Sequence, residues 1–335
     1  MINNHSAFID FDNNKIKLTT AKLAELRKNR DALRKKIKEY MSTEKENEIQ
    51  PKFHSQGSIP MGTAVNPLPA TDSEGNILLP FDLDDGVYFI SDDEDAVRKT
   101  VATYHNWILS AVSSHTKEAI DKTTCVRVMY ADGHHIDLPI YYLIKDGIPQ
   151  LAHKSKDWFD SDPREFAAWF NDLAAKNRQL RRMVRYLKAW KNYREVNNTN
   201  LWLPSGFALT ILAAENFKPN DRDDVAFRDT VNAIHETLKG SFECCRPTVP
   251  KENIFKDYSD RGETQLMDAL ARLISNCDKA ADETNYKASS EYLRKEFGDR
   301  FPLGKDEDVE DKKKRVVAGL ASTIAPRPYG SDNNG

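Results

Sequence analysis

The chain has 335 residues, of which 39% are hydrophobic and 30% charged, and its formal net charge is −3. This balance is ordinary for a soluble globular protein with one large or two modest domains, and it excludes a molecule that is basic overall, so any nucleic-acid-binding surface must be local. The sequence has no run of 18 apolar residues and no signal-peptide pattern at its beginning, so we expect a cytoplasmic protein without a membrane span.

The first half of the chain mixes helix and strand patterns. Near-helical spacing of apolar residues predicts a long amphipathic helix over residues 15–48, and four prolines with two glycines predict a loop over residues 59–80. The patterns that follow predict a strand over Ile77–Ile90, an acidic turn at Asp92–Asp95, a helix over 94–120, and a strand pair over Cys125–Tyr130 and His134–Ile144.

Helical patterns dominate from Asp162 onward. Asp162 followed by Pro163, with Glu165 three residues after the aspartate, is typical of a helix start. The predicted helices cover residues 163–194, 205–217, 223–239 and 262–297. We therefore divide the chain into a mixed part at 1–155, a helical part at 156–320, and a polar tail at 321–335.

Two carboxylates in the segment Asp82-Leu83-Asp84 stand two residues apart on a predicted strand, so both point to one face while Leu83 points to the core. Asp137 interrupts a second apolar strand. Negative charges at such a short separation repel one another, and a divalent cation bound by the carboxylate oxygens relieves the repulsion. The three aspartates therefore predict a site for two metal ions, with edge-strand or turn aspartates as the alternative.

Three further features could serve a phosphate ligand. Gln56-Gly57-Ser58 offers a close backbone approach and a hydroxyl. A basic stripe at helical spacing faces away from an apolar one and predicts a polyphosphate clamp or a solvated surface; its members are Arg178, Arg181, Arg185 and Lys188. Arg127 stands ten residues before Asp137, and the even spacing in a regular hairpin predicts a shared face.

The order of these motifs resembles the DNA polymerase beta-like nucleotidyltransferase superfamily, and within it the bacterial cGAS/DncV-like nucleotidyltransferases (CD-NTases). The segments that carry the resemblance are Gln56–Ser58, Phe81–Phe89, Cys125–Arg127 with His135–Pro139, Ser161–Pro163 and Leu203–Thr210. The resemblance implies an α+β fold: a polymerase beta-like core with a mixed sheet, followed by an α-helical domain.

The resemblance also implies roles for individual residues. Asp82, Asp84 and Asp137 would hold two Mg²⁺ ions, with Mn²⁺ as a substitute. Gln56, Gly57 and Ser58, together with Lys188 and Ser205, would contact the donor nucleotide. Arg127, Ser161 and Asp162 would reach a base or phosphate, although Ser205 and Asp162 also suit plain helix caps. Met61 stands where relatives carry an aromatic residue that stacks on a base.

The implied product is a cyclic di- or trinucleotide second messenger for antiphage defence, with 3′,3′-cyclic GMP–AMP from ATP and GTP as the leading candidate and a downstream effector as its receiver. No membrane and no obligatory nucleic acid are expected as partners. Two alternatives remain open: a template-independent polymerase that makes linear oligonucleotides or RNA tails, and an inactive nucleotide-binding scaffold.

Two other features suggest further chemistry. His235, Cys244, Cys245 and Cys277 could bind zinc, but adjacent cysteines with a remote fourth ligand favour buried reduced thiols instead. Gly335 ends the given sequence on a polar segment. Since relatives are encoded beside ubiquitin-activating-like proteins, the resemblance implies a conjugation partner at Gly335, with an ordinary tail as the alternative.

Overall fold

A computed structural model describes residues 2–71, 73–311 and 314–315. It confirms the α+β prediction: a mixed sheet packs against helices, and the later part of the chain is helical. The strands are β1 (Lys52–Gln56), β2 (Ala70–Thr71), β3 (Ile77–Leu78), β4 (Asp82–Ser91), β5 (Glu118–Asp121), β6 (Cys125–Met129), β7 (His135–Ile144), β8 (Gln150–His153) and β9 (Asp157–Asp160).

Most helices begin at a side chain that accepts a hydrogen bond from the first turn, as Thr19 does from the Lys22 amide at 3.2 Å. The helices are α1 (His5–Phe11), which continues into a π-helical turn at Asp12–Ile16, α2 (Thr20–Glu44), α3 (Val101–Val112), α4 (Pro163–Lys176), α5 (Gln179–Asn197), α6 (Gly206–Glu215), α7 (Asp223–Gly240), α8 (Asp260–Asp282) and α9 (Tyr286–Phe297). No helix in the described ranges combines the length and apolar character that a bilayer crossing requires.

The main sheet places β4 and β7 at its centre. Its strand order is β1-β4-β7-β6-β5, with β8 beside the second half of β7 and β9 beside β8. The β4–β7 pair is parallel, whereas the other neighbours are antiparallel. In this register Asp84 pairs with Asp137, and Asp82 pairs with His135. The two predicted aspartate strands are therefore direct neighbours.

Two large hydrophobic clusters organise the molecule. One lies behind the sheet, where β4 and β7 pack on α2 and α3. The other joins the helices of the second half and also includes Phe8, Phe11 and Ile16. The segment from Phe8 to Ile16 thus contributes to the helical cluster, and the sheet continues to Asp160.

Several element boundaries differ from the sequence-based predictions. The expected strand over Ile77–Ile90 is two strands, interrupted at Pro80, which has no N–H to donate. The expected helix over 163–194 breaks at Asn177, whose side chain accepts from the Gln179 amide at 2.9 Å. The helix expected over 94–120 ends at Val112 and a strand follows, while β8 and β9 were missed.

Candidate active site

The three predicted metal-binding aspartates lie on one face of the sheet, at the beginning of β4 and in the first half of β7. The Asp82 side chain is 57% exposed and that of Asp137 only 13%. Asp84 is partly buried and pairs in register with Asp137. Strand alternation brings these carboxylates together, as the sequence predicted.

The Asp84 carboxyl group lies in an unfavourable environment for a negative charge. Burial is the main cause that raises its pKa well above the ordinary value, and the charges of Asp82 and Asp137 add to the effect. Arg127 and Lys188 oppose the shift. Because a divalent cation would stabilise all three carboxylates in their charged form, the donor set fits such an ion.

His135 joins this cluster, although the sequence analysis did not single it out. Its Nε2 atom is buried 3.2 Å from Asp82 Oδ1 without a well-oriented hydrogen bond in the described residues. Ligand atoms of Asp82, His135 and Asp137 all lie within 4.8 Å of one another, as a metal site requires. The sequence spacing could have identified His135, since it precedes Asp137 by two residues on the same strand and therefore shares its face.

Arg127 lies directly opposite Asp137 in the β6–β7 register, so the predicted shared face is correct. Its Nε and one terminal nitrogen donate to the two Asp137 oxygens at 2.7 Å each. A bidentate pair of this kind fixes the carboxylate plane. Arg127 is thus a direct partner of a candidate metal ligand, a contact that even spacing alone did not reveal.

Gly57 brings the following loop directly onto Asp84. Its φ of +69° is a conformation that favours glycine, and a Cβ atom there would lie 3.2 Å from Asp84 Cγ and closer still to Oδ2. Ser58 follows at the edge of a pocket, and its carbonyl accepts from the Thr63 amide at 2.9 Å. The Gly-Ser element and the aspartates therefore meet, as their order in the sequence suggested.

Gln56 points elsewhere. Its side chain is buried, donates to the Tyr88 hydroxyl at 2.7 Å and accepts from the Tyr141 hydroxyl at 3.3 Å. The Tyr88 and Tyr141 rings stack with centroids 4.6 Å apart. In this structure the Gln56 amide organises two tyrosines on the aspartate face, whereas the expected contact was with a nucleotide.

A pocket of about 220 Å³ opens between the aspartate strands and the helical part, lined by Ser58, Thr63, Asp82, Lys188 and Gly206 among others. Lys188 Nζ donates to the Thr63 carbonyl at 3.3 Å and to its hydroxyl at 3.2 Å. Burial lowers the pKa of Lys188 to about 8, although the nearby charges of Asp84 and Asp82 act in the opposite direction. The predicted convergence of Lys188 on the aspartates is therefore present.

The rest of the basic stripe behaves differently. Arg178 is exposed at the start of α5. Arg181 donates to the Met61 carbonyl at 3.0 Å, and buried Arg185 donates to the Gly62 carbonyl at 2.6 Å. The interpretation of the whole stripe as a polyphosphate clamp is therefore wrong for Arg181 and Arg185, because their guanidinium groups are engaged by the loop after Ser58.

Ser205 and Asp162 both cap helices. Ser205 is exposed before α6 and its hydroxyl accepts from the Ala208 amide at 3.2 Å. Asp162 accepts from the Arg164 amide at 3.0 Å and pairs with the Arg164 guanidinium. Burial opposes ionisation of Asp162, but these Arg164 contacts prevail and lower its pKa. Ser161 is buried, and its amide donates to the Pro149 carbonyl at 2.9 Å.

Three other expectations meet the structure as follows. Met61 is 4% exposed within the helical cluster, so it does not present a surface for a base to pack on. Cys244 and Cys277 are buried and Cys245 is exposed, and no metal-binding group found among the described residues includes them or His235. The tail at 321–335, with Gly335, lies outside the described residues.

Residues 51–141 match the family model for the nucleotidyltransferase domain of DncV-like cyclic GMP-AMP synthases. Over this segment the chain is similar to the DncV-like nucleotidyltransferases. Asp82, Asp84, Asp137 and the Gly-Ser element all lie within the matched residues, as do all of β4 and most of β7. The resemblance drawn from the sequence motifs is therefore confirmed.

Curated relatives of this nucleotidyltransferase domain include cyclic dinucleotide synthases. The chain is 28% identical over 241 residues to a cyclic GMP-AMP synthase from Escherichia albertii, covering 69% of this chain and 52% of the relative. It is 24% identical over 247 residues to a c-di-GMP synthase from Roseivirga ehrenbergii, covering 64% and 63%. The matches thus span about half to two-thirds of the length of these relatives.

The fold extends the similarity beyond the nucleotidyltransferase domain. The Vibrio cholerae DncV cyclic AMP-GMP synthase, solved in complex with nonhydrolyzable GTP, superposes with a TM-score of 0.76 at 18% identity. The superposition covers 90% of this chain and 97% of that one. At this level of identity the similarity establishes a shared architecture for the sheet and the helical part.

Proposed function

We propose that this protein is a metal-dependent nucleotidyltransferase that makes a cyclic oligonucleotide from ATP and GTP, with 3′,3′-cyclic GMP–AMP as the leading product. The observation that carries the proposal is the register pair of Asp84 and Asp137, with Gly57 packed against Asp84. This arrangement joins a cation site to a phosphate-binding turn. The cyclic dinucleotide synthases among its relatives support the choice of product class.

Asp82, Asp84 and Asp137 would hold two Mg²⁺ ions, for which Mn²⁺ could substitute. When bound, the ions would supply activation of the attacking hydroxyl and stabilisation of the leaving pyrophosphate. Burial, together with repulsion from Asp82 and Asp137, raises the pKa of Asp84, and this supports the role because a cation would stabilise the charged carboxylates. His135 lies beside Asp82 and can orient that carboxylate or add a ligand.

The other residues would bind and orient the nucleotides. Ser58 and Lys188, which line the same pocket, would contact the donor triphosphate, with Gly57 allowing its close approach. Ser205 would help at the start of α6, where its exposed hydroxyl adjoins the pocket residue Gly206. Arg127 would hold Asp137 and share its charge with a phosphate.

We further propose that Gln56 affects binding of the second, acceptor nucleotide indirectly, through its hydrogen bonds to Tyr88 and Tyr141. Asp162 and Ser161 would lie at the same side, because Arg164, the partner of Asp162, lies 5.0 Å from the Tyr88 ring centroid. The product would act as a second messenger that reaches a downstream effector in antiphage defence. The base choice rests on the cyclic GMP-AMP synthase among the relatives, and the biological role rests on the family resemblance of the sequence motifs.

The test is incubation with the four labelled nucleoside triphosphates and Mg²⁺, followed by nuclease mapping and mass spectrometry. A cyclic product with adenine and guanine is expected, and Asp82→Asn or Asp137→Asn should lower turnover at least ~100-fold. Linear products alone would favour the template-independent polymerase. Near-normal turnover by both variants would refute the assignment of the metal ligands.

A further inference from the structure

The loop that follows the Gly-Ser element is held by side chains of the helical part. Four successive carbonyls, those of residues 60–63, each accept a hydrogen bond from a side chain of α4 or α5. The donors, in carbonyl order, are Asn171 at 3.4 Å, Arg181 at 3.0 Å, Arg185 at 2.6 Å and Lys188 at 3.3 Å. The position of the loop therefore depends on the orientation of these side chains.

Arg185 is oriented by a residue far away in the sequence. Its Nε and one terminal nitrogen donate to the two oxygens of Asp12 at 2.6 Å each, while its other terminal nitrogen donates to the Gly62 carbonyl at 2.6 Å. Arg185 and Asp12 are 5% and 1% exposed. Because the guanidinium is planar and rigid, two bonds to Asp12 fix the direction of the third.

The same N-terminal segment contacts the other end of the loop. The Asn66 amide donates to the Ile16 carbonyl at 2.6 Å, and the Asn66 side chain donates to the Lys17 carbonyl at 3.0 Å. Lys17 also pairs with Val65 in an isolated β-bridge. The segment from Asp12 to Lys17 thus supports the loop at both Gly62, through Arg185, and Asn66.

A buried ion pair is a poor device for stability alone, because removing two charges from water offsets much of their attraction. The pair of Asp12 with Arg185 does, however, define a direction, and that direction is toward the loop that begins at Ser58. Any tilt of the guanidinium would shift the Gly62 carbonyl. Since the loop folds back on itself through the bond from the Thr63 amide to the Ser58 carbonyl, the shift would be passed to Ser58.

We propose that Asp12, acting through Arg185, is a positioning residue for binding of the nucleotide triphosphate. The inference rests on the proposed function, since it assumes that the Gly-Ser loop receives the triphosphate. Asp12 does not itself line the pocket. Its contribution is to hold the loop in the arrangement in which Ser58 and Lys188 line the same pocket.

The test compares three variants of the full chain. Asp12→Asn removes the charge without changing shape, and Arg185→Lys keeps the charge but loses the bidentate geometry. Asp223→Asn is the matched control. Buried Asp223 lies on α7 and pairs with Arg182, which is on α5 like Arg185, but Asp223 does not contact the loop. Binding is titrated with α,β-methylene ATP and Mg²⁺, which resists nucleotidyl transfer, and thermal unfolding is followed in parallel.

Asp12→Asn and Arg185→Lys should raise the Kd of the analogue about 10-fold, the equivalent of one charge-assisted contact. Asp223→Asn should raise this Kd less than about twofold, even if its unfolding temperature falls as far as those of Asp12→Asn and Arg185→Lys. In turnover, Asp12→Asn should raise KM and leave kcat nearly unchanged. If Asp12→Asn does not fold, Arg185→Lys decides.

Unchanged binding by the loop variants, or an equal loss in Asp223→Asn, would overturn the positioning role while leaving the proposed function intact. Failure of the unaltered protein to bind the analogue would overturn the proposed function itself, and the inference with it. The two failures are therefore distinguishable.

Discussion

Substituting alanine for Gly57 would place a methyl group against the carboxylate of Asp84. The φ of +69° alone should cost an alanine about 1–2 kcal/mol. The new Cβ would lie 3.2 Å from Asp84 Cγ and nearer to its Oδ2, so either the loop or the carboxylate must move. Since unstrained non-bonded atoms settle about 3.5–4 Å apart, the displacement is on the order of 1 Å.

A displacement of that size matters more for turnover than for folding. Misplacing a group in a reacting geometry by about 1 Å lowers the rate about 100-fold, whereas the loss of stability should stay within about 3 kcal/mol. We therefore expect Gly57→Ala to remain folded and to lose most of its Mg²⁺-dependent turnover. The assay is product formation from labelled nucleoside triphosphates, with thermal unfolding measured on the same preparations.

Gly75 supplies the matched control. Its φ is +86°, but a Cβ atom there would have no neighbour within 4 Å. Gly75→Ala therefore carries the backbone strain without the clash and should retain normal turnover. If Gly57→Ala turned over within about threefold of Gly75→Ala, the argument that Gly57 brings the loop onto a working Asp84 would be refuted.

Three further predictions concern charge. Asp82→Asn should weaken Mn²⁺ binding, measured by the electron paramagnetic resonance signal of free Mn²⁺, and equal affinity would contradict the metal assignment. Lys188→Ala should raise the KM for nucleotide about 10-fold or more. Because burial lowers the pKa of Lys188 to about 8, nucleotide affinity of the unaltered protein should fall as pH rises through 8, a dependence that Lys188→Ala should lack. Arg34→Met leaves the fully buried Asp85 without its bidentate partner and should cost about 3–5 kcal/mol in urea unfolding. Arg30→Met, which loses bonds only to exposed Asp31 and to a serine, should cost less than about 1 kcal/mol.

Local pattern was sufficient to predict the face on which the aspartates lie. Alternation along β4 places Asp82 and Asp84 together, and it also sends Asp85 to the opposite, buried face. A buried carboxylate requires a charged or hydrogen-bonding partner. Arg34 of α2 is that partner, since it donates to both Asp85 oxygens at 2.7 and 2.5 Å. The partner lies 51 residues away, so sequence spacing could not identify it.

The basic stripe shows the complementary limit. Helical spacing correctly placed Arg181, Arg185 and Lys188 on one side of α5, but spacing says nothing about what lies opposite. The acceptors for the two arginines are loop carbonyls about 120 residues earlier in the chain. Asp12 was beyond prediction for the same reason, because its role depends on the packing of the N-terminal segment into the helical cluster.

The pocket contains a carboxylate and an ammonium group whose charged forms are both disfavoured, and a metal-bound triphosphate would stabilise both. Burial and neighbouring carboxylates disfavour the anion of Asp84, while burial disfavours the ammonium of Lys188. Each group eases the other only in part, since Lys188 lowers the pKa of Asp84 and Asp84 raises that of Lys188. A cation stabilises the carboxylates and a phosphate stabilises the ammonium, so the two ligands should favour one another's binding. We therefore expect a nucleotide to bind most tightly together with its metal, because either ligand alone would satisfy only one side of the pocket.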